Sequence, residues 1–153
     1  EMMSVFDNAI NNGYTIAWGA DVSESGFTRD GLAMLPETNK ELLQGTDQAR
    51  WVGAIAGGKF TVKAPMIEQN VTQESRQKGY DNKETTDDHG MQIFGIAKDQ
   101  TGKEYYMIKN SWGSNNKYSG VWYVSKAFAA AKTMNILVHK DAIPKDVRKK
   151  LGI

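Results

Sequence analysis

Two strand-like apolar runs, split by a four-residue turn signal, constrain this chain more than any other feature. "HGMQIFGIAKD" (His89 to Asp99) and "KEYYMIKNSWG" (Lys103 to Gly113) flank "DQTG", Asp99 to Gly102. Such a pattern reads as a β-hairpin. With Asp99 to Gly102 as the loop, Lys98 pairs with Lys103. Counting back, Met91 faces Asn110 and His89 faces Trp112. Asn110 is then the diagonal neighbour of His89 on one face of the sheet. Diagonal pairs lie roughly 7–8 Å apart at Cα, within reach of long side chains. Ser111 points to the other face. A bulge in either strand would change these partners.

The rest of the chain supplies elements around the hairpin. "EMMSVFDNAINNGY" reads as an amphipathic helix with Met3, Phe6 and Ile10 on one face, stopped at Asn11-Asn12-Gly13. "YTIAWGADV" (Tyr14 to Val22) is a buried strand. Ser23 to Gly45 is turn-rich, with a short helix around Asn39 to Gln44, and Gly57-Gly58 breaks the apolar run after it. Val71 to Tyr80 is a polar helix capped by Asn70 or Thr72. "GVWYVSK" is a third strand of the hairpin sheet, "SKAFAAAK" a short helix capped by Ser125, and "TMNILVHKD" a fourth strand. "PKDVRKKLG" is a last helix, with Pro144 in its first turn and Gly152 near its stop. The fold class is α+β: an antiparallel sheet, with a helical insertion at about 26–86.

Composition excludes some functions. A chain of 153 residues suits one domain, 40% hydrophobic and 24% charged reads as globular, and the net charge of +1 gives no strong attraction to nucleic acid or membrane. The basic end "HKDAIPKDVRKKLGI" reads as a solvated helix. No apolar run approaches membrane-spanning length. The chain has no cysteine, hence no disulfide, thiolate metal site or thiol nucleophile of its own. Without a start methionine, a leader or an N-cap before its first helix, it reads as beginning inside a longer protein.

A lone histidine at a strand start is usually a satisfied structural residue, and so is a lone Asn at a strand end. The trio of His89, Asn110 and Trp112 points elsewhere. A general-base histidine needs a partner on its second ring nitrogen to set tautomer and orientation. A neutral amide suffices when the nucleophile is a thiol, because the resting pair is already thiolate and imidazolium. An indole over the contact excludes water, and Gly113 lets the chain turn away beside the ring.

"DDHGM" (Asp87 to Met91), "KNSWG" and the "GVWYVS" strand resemble the His and Asn segments of papain-like cysteine peptidases. "GYTIAWGADVSES" and "NILVHKDAIPKDV" are similar to the bleomycin hydrolase and aminopeptidase C branch. The resemblance implies the C-terminal, sheet-bearing half of a papain-like fold, residues 1–153. It implies hydrolysis of peptide bonds in an aminopeptidase-like mode. His89 is the base and acid in that reading, Asn110 its orienter, Trp112 the shield, and Ser111 and Gly113 support. Trp18, Ala20 and Gly90 fall where the family lines its substrate pocket. No cofactor is implied. The partners implied are peptide substrates, an N-terminal half carrying the catalytic Cys, and five further copies in a ring-like homohexamer. The compartment implied is the cytoplasm. One departure stands out: the branch often ends in a tail that enters the cleft, whereas this sequence stops at Leu151-Gly152-Ile153.

Other candidates carry less. His139 in "ILVHKD" reads as an edge histidine, and its spacing from His89 fits no metal motif. Gln44 and Gln48 sit in no oxyanion-hole context. Asp87 and Asp88 read as a polar loop near the substrate. "NVT" at Asn70 is a glycosylation acceptor only in a secreted eukaryotic protein. The seven methionines read as core filling. No Gly-x-Ser-x-Gly elbow occurs. The alternative to an enzyme half is an inactive papain-like module used for binding or assembly; a Gln followed by Cys-Trp upstream separates the two.

Overall fold

The computed structural model describes residues 1–37, 62 and 64–153. The expected helix at Asn39 to Gln44, Gln44 and Gln48 themselves, and the Gly57-Gly58 break lie outside the described residues.

The hairpin is the centre of the sheet. Strands β1 (Ile16–Ala20), β2 (Leu32–Ala33), β3 (His89–Lys98), β4 (Glu104–Lys109), β5 (Val121–Ser125) and β6 (Thr133–Leu137) are ordered β2-β5-β4-β3-β1-β6. Four of the five neighbouring pairs are antiparallel, and β2 runs parallel to β5. The sheet is therefore mixed, a correction to the antiparallel expectation. Nothing in "GLAML" announces β2, since two residues carry no period. Its place is decided by Gly26 and Thr28, whose carbonyl and hydroxyl bond Met34 and Leu32 and fold Phe27 back over Ala33. These two sheet residues also lie inside the stretch 26–86 read as an insertion.

The hairpin loop is one residue longer than the turn signal implies. Lys98 pairs with Glu104, not with Lys103. The cause is Asp99: its Oδ1 accepts from Thr101 N at 2.8 Å, Thr101 Oγ1 at 2.6 Å and Lys103 N at 3.1 Å, and its Oδ2 accepts from Tyr105 at 3.0 Å. A single carboxylate with four donors draws Lys103 into the loop. A β-bulge then places Phe94 between Ile93↔Ile108 and Gly95↔Met107. The extra loop residue and the extra strand residue cancel. From Ile93 back to Gln92↔Lys109 the register is the one a four-residue loop would give.

Helices α1 (Met2–Asn11) and α3 (Lys126–Lys132) cover one face of the sheet. Phe6, Ile16, Trp18, Ile93, Tyr106, Ile108, Trp122, Val124 and Phe128 form the core between them. Each such side chain stabilises by about 1.5–3 kcal/mol when buried. Helix α1 is pinned at Asp7, which accepts from Tyr106 at 2.7 Å and from Lys126 at 3.0 Å. The α2 helix (Gln73–Asp81) starts at Thr72, whose hydroxyl accepts from Ser75 N in a reciprocal capping box. It has no buried residue of its own, and Arg76 docks it by donating to Ala130 O and Thr133 O at the end of α3. Ser125 caps α3 by accepting from Phe128 N. The last helix, α4 (Lys145–Leu151), follows Pro144 as its N-cap and closes on Gly152 at φ +71°. Among the described residues, no helix is long and apolar enough to cross a membrane.

Candidate active site

His89 is the first residue of β3, and Asn110 follows the last residue of β4. The restored register sets both on the core face, as the hairpin reading expects. His89 Nε2 lies 2.8 Å from Asn110 Oδ1. The same oxygen accepts from the backbone N–H of Ser111 at 2.7 Å. That second donor decides the amide's orientation, because an NH₂ group there would face an N–H. Nε2 must therefore carry the proton and donate. Nδ1 is left as the basic nitrogen, and no described residue hydrogen-bonds it. Asn110 is buried, and its Nδ2 has no hydrogen-bond partner among the described residues.

Trp112 closes one side of the contact. Its ring lies 4.9 Å from that of His89, tilted by 35°, and meets Phe27 and Trp122 edge-on at 5.8 and 5.7 Å. It is 46% exposed, so it acts as a cover and not as a core residue. Gly113, at φ +76°, turns the chain away from the ring with no side chain to strain. Ser111 is exposed, and its part in the pair is its backbone N–H.

The three expected pocket residues divide. Trp18 and Ala20 are 1% and 0% exposed, and Trp18 donates to Thr133 Oγ1 at 2.8 Å inside the core. Their side chains support His89 from below, and Trp18 also edges the groove over β1 and β3. Strand parity sets them there: Trp18 pairs with Met91 and Ala20 with His89. Gly90 is exposed, with open space where a Cβ would stand. Its neighbour Gly19 was not anticipated. The two pair across β1 and β3 on the outer face and help floor an open groove of about 740 Å³. Asp87, Asn135 and Leu137 wall this groove; Asn135 donates to Asp87 Oδ2 at 2.6 Å. Alternation along β1 marks Gly19 as the opposite face from Trp18, but its pairing with Gly90 needs the register.

Asp88 sits beside His89 and accepts from Val22 N at 3.0 Å. Partial burial, with Asp21 nearby, raises its carboxyl above the ordinary value. Two charged residues that the sequence reading left out lie behind it: Asp21 and Lys132, 1% and 5% exposed. His139 is remote from this arrangement. It stacks on Tyr14 at 5.3 Å and caps the 3₁₀ turn Lys140–Ala142.

Comparison with known proteins agrees with this architecture. In a search of solved structures, PepW from Lactobacillus rhamnosis HN001 matches 98% of this chain at 19% identity with a TM-score of 0.59. This chain spans 30% of the length of that protein. The bromelain protease of Ananas comosus, solved with the E64 inhibitor, matches at 13% identity, a TM-score of 0.39, and coverage of 81% of this chain and 40% of its own. No curated protein matches the chain. The profile of the peptidase C1-like family covers residues 44–152, most of the chain including His89 and Asn110. On that match the chain belongs to the peptidase C1-like family.

Proposed function

We propose that this chain supplies the acid–base half of a cysteine peptidase of the bleomycin hydrolase and aminopeptidase C type. The thiol comes from residues outside these 153, in an N-terminal half of the same protein. The observation that carries the reading is the shared acceptor: Asn110 Oδ1 binds both His89 Nε2 and Ser111 N. It commits Nε2 to donation and leaves Nδ1 for proton transfer.

The chemistry follows from that tautomer. Nδ1 takes the thiol proton, giving thiolate and imidazolium. The thiolate attacks the peptide carbonyl carbon, and Nδ1–H protonates the departing amine. Nδ1 then takes a proton from water, whose oxygen attacks the thioester and releases the acid. Trp112 keeps bulk water from the Nε2–Oδ1 bond throughout. Substrate peptide lies along the groove over Gly90, where the missing side chain lets a backbone or a large side chain approach, while Asn135 covers Gly19.

The test is kinetic, in the complete peptidase. His89→Ala should lower kcat by about 10²–10⁴-fold, the usual contribution of a general acid–base group. Turnover unaffected by that change would end the reading. The aminopeptidase mode is tested separately, by comparing free and N-acetylated peptides of one sequence; equal rates would leave peptidase activity standing and remove the aminopeptidase assignment.

A further inference from the structure

His89 opens its strand, so only one side of it is held by a ladder. The chain leading to it, Glu84 to Asp88, forms neither helix nor strand. Val22 and Asn135 bond Asp88 and Asp87 at its near end, and two buried side chains from elsewhere hold its first three residues. Asp21, just past β1, accepts from Thr86 N through Oδ2 at 2.9 Å, and from Ser23 N and Ser23 Oγ through Oδ1 at 2.9 and 2.6 Å. Lys132, at the end of α3, donates to Glu84 O at 3.2 Å and Thr85 Oγ1 at 3.1 Å. Lys132 also meets the Glu24 carboxylate and lies 4.0 Å from Asp21 Oδ2. The Asp21 N–H in turn donates to Lys132 O at 3.1 Å. Thus one acid and one base bind three successive residues of the lead-in, Glu84, Thr85 and Thr86.

We propose that Asp21 and Lys132 are positioning residues for His89: they hold the lead-in chain so that the imidazole stays in the Nε2–H tautomer against Asn110. The proposal rests on the acid–base reading of His89. Their use of charge is part of the device. An ionised acceptor binds the Thr86 N–H more strongly than a neutral one. Lys132 stands between the Asp21 and Glu24 carboxylates in this buried corner and so ties the acid to the end of α3. Loss of the lysine removes its bonds to Glu84 O and Thr85 Oγ1 and its contact with Asp21. Both residues remain remote from the reacting atoms, so their effect reaches chemistry only through His89.

Nitrogen-15 NMR of the histidine rings in the 153-residue chain reads this directly. The sequence has two histidines, and His139 is the internal reference. In the unaltered chain His89 should show the Nε2–H tautomer almost alone. Asp21→Asn, close to isosteric, and Lys132→Met should each turn it into a mixture of tautomers, with His139 unchanged. His89 keeping its single tautomer in a folded variant of either kind would overturn the proposal. Should both variants fail to fold, amide exchange in the unaltered chain decides. The Thr86 N–H, bonded to a buried carboxylate, should exchange about tenfold or more slowly than that of Asp87. Equal exchange rates would overturn the proposal. The acid–base reading fails differently, through turnover in the complete peptidase that ignores His89→Ala while the tautomer results stand.

Discussion

His89 Nε2 and Asn110 Oδ1 stand 2.8 Å apart at the open end of a hairpin whose loop and bulge each add one residue. In the proposed function the amide orients the ring and transfers no proton. In the complete peptidase, Asn110→Ala should therefore reduce kcat less than His89→Ala does. The comparison of the two, with folding checked by circular dichroism, separates the roles. Equal losses would show that the amide does more than orient.

Trp112 is a half-exposed cover, and its replacement should reflect that. Trp112→Ala removes the edge contacts to Phe27 and Trp122 and the face over His89. The expected cost is about 1–2 kcal/mol, below the 3–5 kcal/mol usual for a buried aromatic. Urea unfolding of the 153-residue chain measures it. A loss in the full core range would place the indole among the structural residues.

Two glycines should respond oppositely to a methyl group. A Cβ on Gly26 would stand 1.9 Å from the Met34 carbonyl oxygen, a backbone atom held by the bridge that forms β2. Gly26→Ala should cost several kcal/mol, on the order of an overpacked core site. A Cβ on Gly90 meets nothing within 4 Å. Gly90→Ala should be neutral or stabilising by about 0.4–1 kcal/mol, through the unfolded chain's lost freedom. Denaturation midpoints of the two variants check both signs.

Acid titration should show two carboxylates acting in opposite directions. Hydrogen bonding from Thr101, above all its hydroxyl, holds the Asp99 carboxyl below its ordinary 3.8. The native state then binds fewer protons there than the unfolded state, so ionised Asp99 stabilises the fold above that value. The contribution is lost as pH falls through the lowered native value. Asp99→Ala should thus cost stability at neutral pH, with the difference shrinking in acid. Asp88 has the other sign, because burial raises its carboxyl. Its ionisation weighs against the native state as pH rises from the ordinary value through the raised one. Asp88→Asn should gain more stability at neutral pH than in acid. Unfolding midpoints across the acid range test both slopes.

Local chemistry was sufficient for much of this architecture. The face of α1 that carries Phe6, the Ser125 cap, the Pro144 start and the Gly152 stop are each decided within a few residues. The sequence reading left Asn70 and Thr72 open as caps of α2, and geometry selects Thr72 because Ser75 can return the bond. The hairpin, too, is legible, because alternation and a turn signal are short-range properties.

The pairing of His89 with Asn110 was legible for a different reason. Its register near His89 came out as the simple loop predicts only because two one-residue departures cancel. The Asp99 side chain lengthens the loop, and the bulge at Phe94 restores the phase so that Ile93 and Ile96 can both reach the core. No rule of spacing contains that compensation; it arises because burying the apolar residues on both sides of the bulge outweighs one unpaired strand residue. Burial of Trp18 and Ala20, the pairing of Gly19 with Gly90, and the parallel strand β2 depend likewise on which strands become neighbours. Asp21 and Lys132 show the limit most clearly. In sequence they are an acid after a strand and a basic residue at a helix end, both ordinary surface features. Only the packing of α3 beside the exit of β1 takes them out of water and forces each to find its partners around the lead-in to His89.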